Sequence, residues 1–334
     1  MNIYDVSKQA GVSIATVSRV INGNPNVSDR TRKKVLAVME ELGYTPNVFA
    51  RGLGLNTMKT IGIMCSDASD LYLANAISYL ERELRANEYD AILCCTGYNL
   101  ENKKKYLELL LSKRVDGVIM AGSKFIESTR EDNEYILNAA RQVPVMLVNG
   151  RLEGKNIYSI LCDDYTAVYQ AVTKLIRSGR RRILYLYTSV SYSGNNKRRG
   201  YQNASMDAGL GNLENMIYQC PKDIAYSRDL LSDLYRQGLK FDAVMTSDDT
   251  LAVGALKFAA SAGLKVPEDL SIIGYNNSLL SRASEPELTS VDTKIEALCT
   301  TTISTLMSVF NGGKNVPNWI TISAELIKRY TTDF

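Results

Sequence analysis

The chain has 334 residues, 45% hydrophobic and 22% charged, with a net charge of +3; this is the composition of two or three globular units, not of a disordered, collagenous or coiled-coil protein. It contains no histidine, which excludes Ser-His-Asp and Cys-His nucleophilic sites, HExxH zinc sites, His-ligated haem and imidazole general bases. The six cysteines (Cys65, Cys94, Cys95, Cys162, Cys220 and Cys299) lie in apolar runs without CxxC spacing, so they read as buried thiols rather than as a disulfide or zinc framework.

Charge is unevenly placed. Residues 1–59 carry eight Lys or Arg against four Asp or Glu, while the remainder nets −1. A basic head on a neutral body suits contact with nucleic-acid phosphates, although a solvated helix face would look the same. The start of the chain has no apolar segment of signal-peptide type, and no run of 18 apolar residues occurs; a cytoplasmic protein with no membrane partner is expected.

The first predicted helix, Tyr4 to Ala10, stops at Gly11, which can turn left-handed. Ser13 then offers an N-cap oxygen, and Val17, Val20 and Ile21 give the second helix one apolar face. Ser28 caps a third pattern in which Val35, Val38, Met39 and Leu42 form the buried stripe and Gly43 ends it. Helix, glycine turn, helix is the arrangement that sets a second helix into a DNA major groove.

Beyond Thr60, apolar runs such as Ile61 to Cys65, Gly117 to Ala121, Val145 to Val148, Ile183 to Tyr187, Ala243 to Thr246 and Ile272 to Tyr275 alternate with amphipathic stretches such as Tyr72 to Asn87 and Thr250 to Ala262. Strands buried on both faces with helical crossovers predict parallel α/β sheets, enough for two. No GxGxxG follows a strand, and Gly313-Lys314-Asn315 lacks the other elements of a P-loop, so an α/β kinase or dehydrogenase is not expected.

Tyr4-Asp5-Val6, Ala10-Gly11-Val12-Ser13, Thr16-Val17-Ser18-Arg19-Val20-Ile21-Asn22, Val27-Ser28 and Leu42-Gly43-Tyr44-Thr45-Pro46-Asn47 resemble the head of the lactose-repressor/galactose-repressor (LacI) family of bacterial transcription regulators. Looser matches, among them Lys197-Arg198-Arg199-Gly200-Tyr201, Asp248-Asp249-Thr250-Leu251 and Ile272-Ile273-Gly274-Tyr275-Asn276-Asn277, extend the resemblance along the chain. It implies a small all-α helix-turn-helix head and an α/β body of two doubly wound parallel-sheet lobes like periplasmic binding proteins. The implied boundaries are a head over 1–46, a hinge helix and linker over 47–59, and an effector-binding and dimerisation domain over 60–334. Within that domain the first lobe takes about 60–161 and 291–320 and the second about 162–290 and 321–334, with crossings near Cys162, Ser290 and Trp319 to Ile322.

The implied function is that of a homodimeric repressor on a palindromic operator, controlled by a sugar-like effector between the lobes. A solute-binding protein without a DNA role, or a regulator answering to a protein, is the alternative. By resemblance Ser13, Ile14, Ala15, Thr16, Ser18, Arg19 and Asn26 face DNA. Ile14 and Ala15 have only apolar contact with a thymine methyl to offer, or pack within the head, while Arg19 can hold guanine in a bidentate contact. Arg51 and Leu53 belong to the hinge, which is similar to that of the catabolite control branch; Leu53 is either a minor-groove wedge or a linker residue.

For the effector, the resemblance points to Ser69, Tyr72, Asn149, Lys197, Asp249 and Asn276. Asp249 would accept ligand hydroxyls or else cap the following helix, and Tyr72 would stack on a ring or belong to the core. Lys197, where many sugar-responsive members have arginine, lacks the planar fork, and with Arg198 and Arg199 suits an acidic or phosphorylated effector unless the arginines face solvent. Trp319, the only tryptophan, is expected to pack. Ala297 to Phe310, matching the helix through which the catabolite control branch binds a phosphorylated protein, has no Lys or Arg, which favours a small molecule. No metal, cofactor or catalytic residue is expected.

Overall fold

The computed structural model describes residues 1–45, 57–211 and 213–334. The head is three helices, α1 (Ile3–Ala10), α2 (Ile14–Ile21) and α3 (Asp29–Glu41). Asn2 and Asp5 form a reciprocal capping box that starts α1 one residue before the apolar pattern does, and Gly11 ends it at φ 62°. Ser13 and Ser28 cap α2 and α3 by accepting from the Thr16 and Thr31 amides. Val6, Ala10, Val17, Val20, Val27, Val35 and Val38 close a core small enough for mostly valine and alanine side chains to fill.

The body begins at β1 (Thr60–Cys65), whose entry is fixed by Asp116: its carboxylate accepts from the Met58 and Thr60 amides and the Thr57 hydroxyl at 2.9–3.1 Å. There follow α4 (Leu71–Ala86), β2 (Asp90–Cys95), α5 (Leu100–Ser112), β3 (Gly117–Ala121), α6 (Glu134–Ala139), β4 (Val145–Val148) and β5 (Ile157–Cys162). The second unit runs through α7 (Asp164–Arg177), β6 (Ile183–Tyr187), α8 (Tyr192–Asp207), β7 (Ile217–Gln219), α9 (Ile224–Arg236), β8 (Ala243–Thr246), α10 (Asp249–Ser261), β9 (Ser271–Tyr275), α11 (Leu279–Ala283) and β10 (Thr289–Asp292). The chain then returns with α12 (Ile295–Phe310) and β11 (Trp319–Ile322), and ends through β12 (Glu325–Ile327).

Two six-stranded sheets result, ordered β11-β5-β4-β3-β1-β2 and β12-β10-β9-β8-β6-β7. The first is wholly parallel; in the second β12 pairs antiparallel with β10. The direction follows from connectivity: β10 leaves the second sheet by its carboxyl end, and the chain re-enters from the first lobe at that same end. The passages fall after Cys162, Asp292 and Ile322, so Val291 and Asp292, placed in the first lobe by the sequence reading, belong to the second.

Each sheet is sandwiched by helices. Cores such as Ile61, Leu80, Ile119, Leu298 and Leu306 in the first lobe, and Leu231, Val244, Leu251 and Ile272 in the second, are fully out of water. Each such side chain stabilises the fold by about 1.5–3 kcal/mol before entropy is counted. Five cysteines are buried, but Cys95 is exposed. It ends β2, an edge strand with solvent on one face, which the apolar run around it conceals in the sequence. Trp319 is 50% exposed on the other edge strand, with the Arg151 guanidinium 4.6 Å above its ring, so its packing is one-sided. No helix among the described residues is long and apolar enough to cross a membrane.

Candidate functional site

A cavity of about 280 Å³ opens between the lobes. Its lining comes from the carboxyl ends of strands: Ser66 after β1, Gly122 after β3, Asn149 after β4, Ser189 after β6, Ser247 and Asp248 after β8, and Asn276 after β9. Facing parallel sheets place their loops and helix starts there, which is where open α/β folds hold ligands.

One lysine joins the two walls. The Lys222 ammonium lies 2.8 Å from Asp70 of the first lobe and 2.7 Å from Asp248 of the second. Burial opposes its charge, yet the Asp248 and Asp70 carboxylates outweigh that and hold its pKa above the usual lysine value. Asp248 also caps α10, accepting from the Thr250 amide at 2.9 Å, and accepts from the Asn276 side-chain amide at 2.9 Å. A second direct link is the Ser123 hydroxyl donating to Ser191 at 2.8 Å.

Four of the six sequence-predicted effector residues are in the lining: Tyr72, Asn149, Lys197 and Asn276. Asn149 and Asn276 adopt positive φ, 62° and 94°, and their amides bond the Ile160 and Val291 carbonyls, turning the chain sharply out of each sheet. The Tyr72 hydroxyl is buried without a hydrogen-bond partner among the described residues, and burial raises its pKa well above the phenolic value. Lys197 is 8% exposed, with its ammonium 3.8 Å over the Tyr275 ring and donating to the Ser247 carbonyl at 3.3 Å.

The other two residues are displaced. Asp249 faces away from the cavity, 1% exposed, accepting from the Ser290 hydroxyl at 2.6 Å and from the Ser278 amide and hydroxyl at 2.7 and 2.8 Å. Burial pushes its pKa up to about 6 against those three donors. Its neighbour Asp248, on the opposite side of the helix start, lines the cavity instead; adjacent residues at an N-terminus diverge, and sequence spacing does not say which of the two turns inward. Ser69 is exposed and spends its hydroxyl on Asp67 at 2.7 Å, while Ser66 and Asp70 reach the cavity. Lys222, Lys124 and the Ser189, Ser191 and Ser193 set were also missed, because short turns and a serine-rich helix start carry no periodicity to mark them.

In the head, Ser13, Ile14, Ala15, Arg19 and Asn26 are exposed and Thr16 and Ser18 are half-buried. Ile14, 39% exposed in the first turn of α2, does not pack into the head core. The Ser13 oxygen is engaged in capping and lies 2.9 Å from the Thr16 hydroxyl, which limits what either can offer a partner. Asn26 donates its amide to Asn24, whose carbonyl in turn accepts from Arg32 at 2.8 Å, fixing the turn after α2. The hinge expectations at Arg51 and Leu53 lie outside the described residues.

Residues 2–47 match the model for bacterial regulatory proteins of the lacI family, and residues 58–330 match that for periplasmic binding proteins and the sugar binding domain of the LacI family. The chain belongs to the LacI family. It is 61% identical over 334 residues, the whole of both chains, to an HTH-type transcriptional regulator of Lachnoclostridium phytofermentans. It is 34% identical over 293 residues, 87% of each chain, to catabolite control protein A of Priestia megaterium. Among solved structures, the lac repressor dimer bound to operator and the anti-inducer ONPF aligns at TM-score 0.89 and 24% identity, over 99% of this chain and 98% of that one. The transcriptional regulator CelR–cellobiose complex aligns at TM-score 0.73 and 25% identity, over 99% and 100%. This LacI-family chain is accordingly a DNA-binding transcriptional regulator, not an enzyme.

Proposed function

We propose that the protein is a homodimeric repressor that binds a palindromic operator and is controlled by a sugar-like effector held between its lobes, acting in the cytoplasm where the operator lies. The observation that carries this reading is the cavity whose two walls are joined by Asp70, Lys222 and Asp248. Carboxylates and an amide at Asn276 accept and donate to vicinal hydroxyls, and a ligand that engages both walls favours one lobe arrangement over others. Ligand preference for one arrangement is what couples the cleft to the DNA.

On the DNA side, exposed Ile14, Ala15 and Arg19 on α2 are the base-reading candidates, with Arg51 and Leu53 assigned to the hinge by family resemblance. The relatives bound to cellobiose and to operator DNA support the two halves of the reading. The absence of Lys and Arg from Ala297 to Phe310, on α12, supports a small molecule over a phosphorylated protein.

The test is selection of bound duplexes from a random pool, followed by thermal-shift screening of sugars and sugar derivatives against the wild type and Asp248→Ala. A two-fold symmetric selected sequence, and a ligand whose stabilisation is lost in the variant and which alters duplex affinity, is expected. A ligand that stabilises the variant equally, or a selected sequence without symmetry, contradicts it.

A further inference from the structure

We propose that the effector is a hydroxylated organic anion, a sugar acid or sugar phosphate, whose negative group lies against Lys197, with Lys124 elsewhere in the same lining adding positive charge to the cleft. The proposal rests on the cleft being the effector site and names the chemical class that site takes. Of the three lysines lining the cavity, Lys222 has its charge matched by Asp70 and Asp248. Lys197 and Lys124 make no ion pair among the described residues.

Lys197 is the decisive group. It is 8% exposed, and its three donors meet one acceptor, the Ser247 carbonyl at 3.3 Å, and the face of Tyr275. Asp164, also buried, accepts from the Tyr275 hydroxyl at 2.6 Å and makes no ion pair with Lys197. A buried ammonium without a counter-ion is costly, and a ligand anion removes that cost on binding. Lys124 is half-buried 4.3 Å over the Tyr98 ring. Burial lowers its pKa, with Asp70 and Asp248 acting against the neighbouring Lys222 and Lys103 charges.

The surrounding polar groups suit such a ligand. Ser189, Ser191 and Ser193 lie at the start of α8, with Ser123 of the first lobe donating across to Ser191, and a helix end there also favours negative charge. Asp70, Asp248 and Asn276 remain for hydroxyl groups, which an inorganic anion alone would leave unused. A volume of about 280 Å³ suits a monosaccharide derivative better than a longer chain.

The experiment titrates full-length protein with inorganic phosphate, following thermal unfolding and calorimetry, for the wild type, Lys197→Met, the Lys197→Met/Lys124→Met double variant, Lys197→Arg and, as an exposed control, Lys240→Met. A saturable stabilisation in the wild type, Lys197→Arg and Lys240→Met, reduced at least tenfold in affinity in Lys197→Met and lost in the double variant, is expected. Lys197→Arg retains the charge if the methionine variants fold poorly. Glucose, glucuronate and glucose 6-phosphate are then competed against phosphate; glucuronate as the stronger competitor names a carboxylate, glucose 6-phosphate a phosphate ester. No saturable effect of phosphate, an equal effect in the double variant, or glucose competing as well as both anions overturns the proposal. A neutral sugar held through Asp248 with no anion binding overturns this proposal and leaves the regulatory reading intact, whereas lysine-dependent anion binding without any change in operator affinity contradicts that reading and leaves only the anion class of the cleft ligand.

Discussion

Asp249 and Asp248 show how much turns on a single side-chain direction. Asp249 binds Ser278 and Ser290, so it fastens the start of α10 to the segments after β9 and along β10. With a folded pKa of about 6 against 3.8 for the ordinary carboxyl, the native state holds the proton more tightly than the unfolded chain. Its contribution is therefore full below pH 4 and lost as pH rises through 6, on the order of 3 kcal/mol. Denaturant unfolding of wild type and Asp249→Asn across that window is expected to show a stability difference that changes by this amount between the two as pH rises from 4 to above 6. Gly274 packs so closely that an added Cβ would sit 2.2 Å from the Asp249 oxygen and 2.6 Å from Leu288. Gly274→Ala is expected to lower stability by about 1–3 kcal/mol, measured by the same titration.

At the level of elements, the capped helices and the fully buried strands were legible, because Ser13, Ser28 and Gly11 are local signals and runs such as Val145 to Val148 have one environment on both faces. Helix α8 was not: Tyr192 to Asp207 is rich in Asn, Ser and Gly, and its buried positions include Ser193, Gly194 and Gly200, which no hydrophobic pattern reveals. Gly200 lets it approach α7, where an added Cβ would come within 2.5 Å of the Tyr165 carbonyl, and Gly194 lets it close on the Ser189 carbonyl. Antiparallel β12 was equally hidden, since its direction is decided by the order of lobe crossings and not by its three residues. Removing the α2 cap with Ser13→Ala is expected to cost about 1 kcal/mol of head stability, visible in thermal unfolding, and to weaken operator binding with it.

Across the whole molecule, the cleft was legible as a location but not as a set of contacts. Resemblance and strand ends point to the space between lobes, yet the lysine that spans it, Lys222, sits in a loop after Pro221 that has no pattern to mark it. Lys222→Met leaves Asp70 and Asp248 facing each other without their shared cation. A loss of about 1–2 kcal/mol at pH 7 is expected in denaturant unfolding. The central claim is that occupancy of this cleft and of DNA by the head are energetically coupled. Its most direct measurement is calorimetric titration of the cleft ligand into protein that is free and into protein saturated with its selected duplex. Ligand affinities differing by about 5- to 150-fold, matched by the same factor in duplex affinity with and without ligand, are expected from reciprocal linkage. Equal ligand affinities in the two titrations would contradict the account.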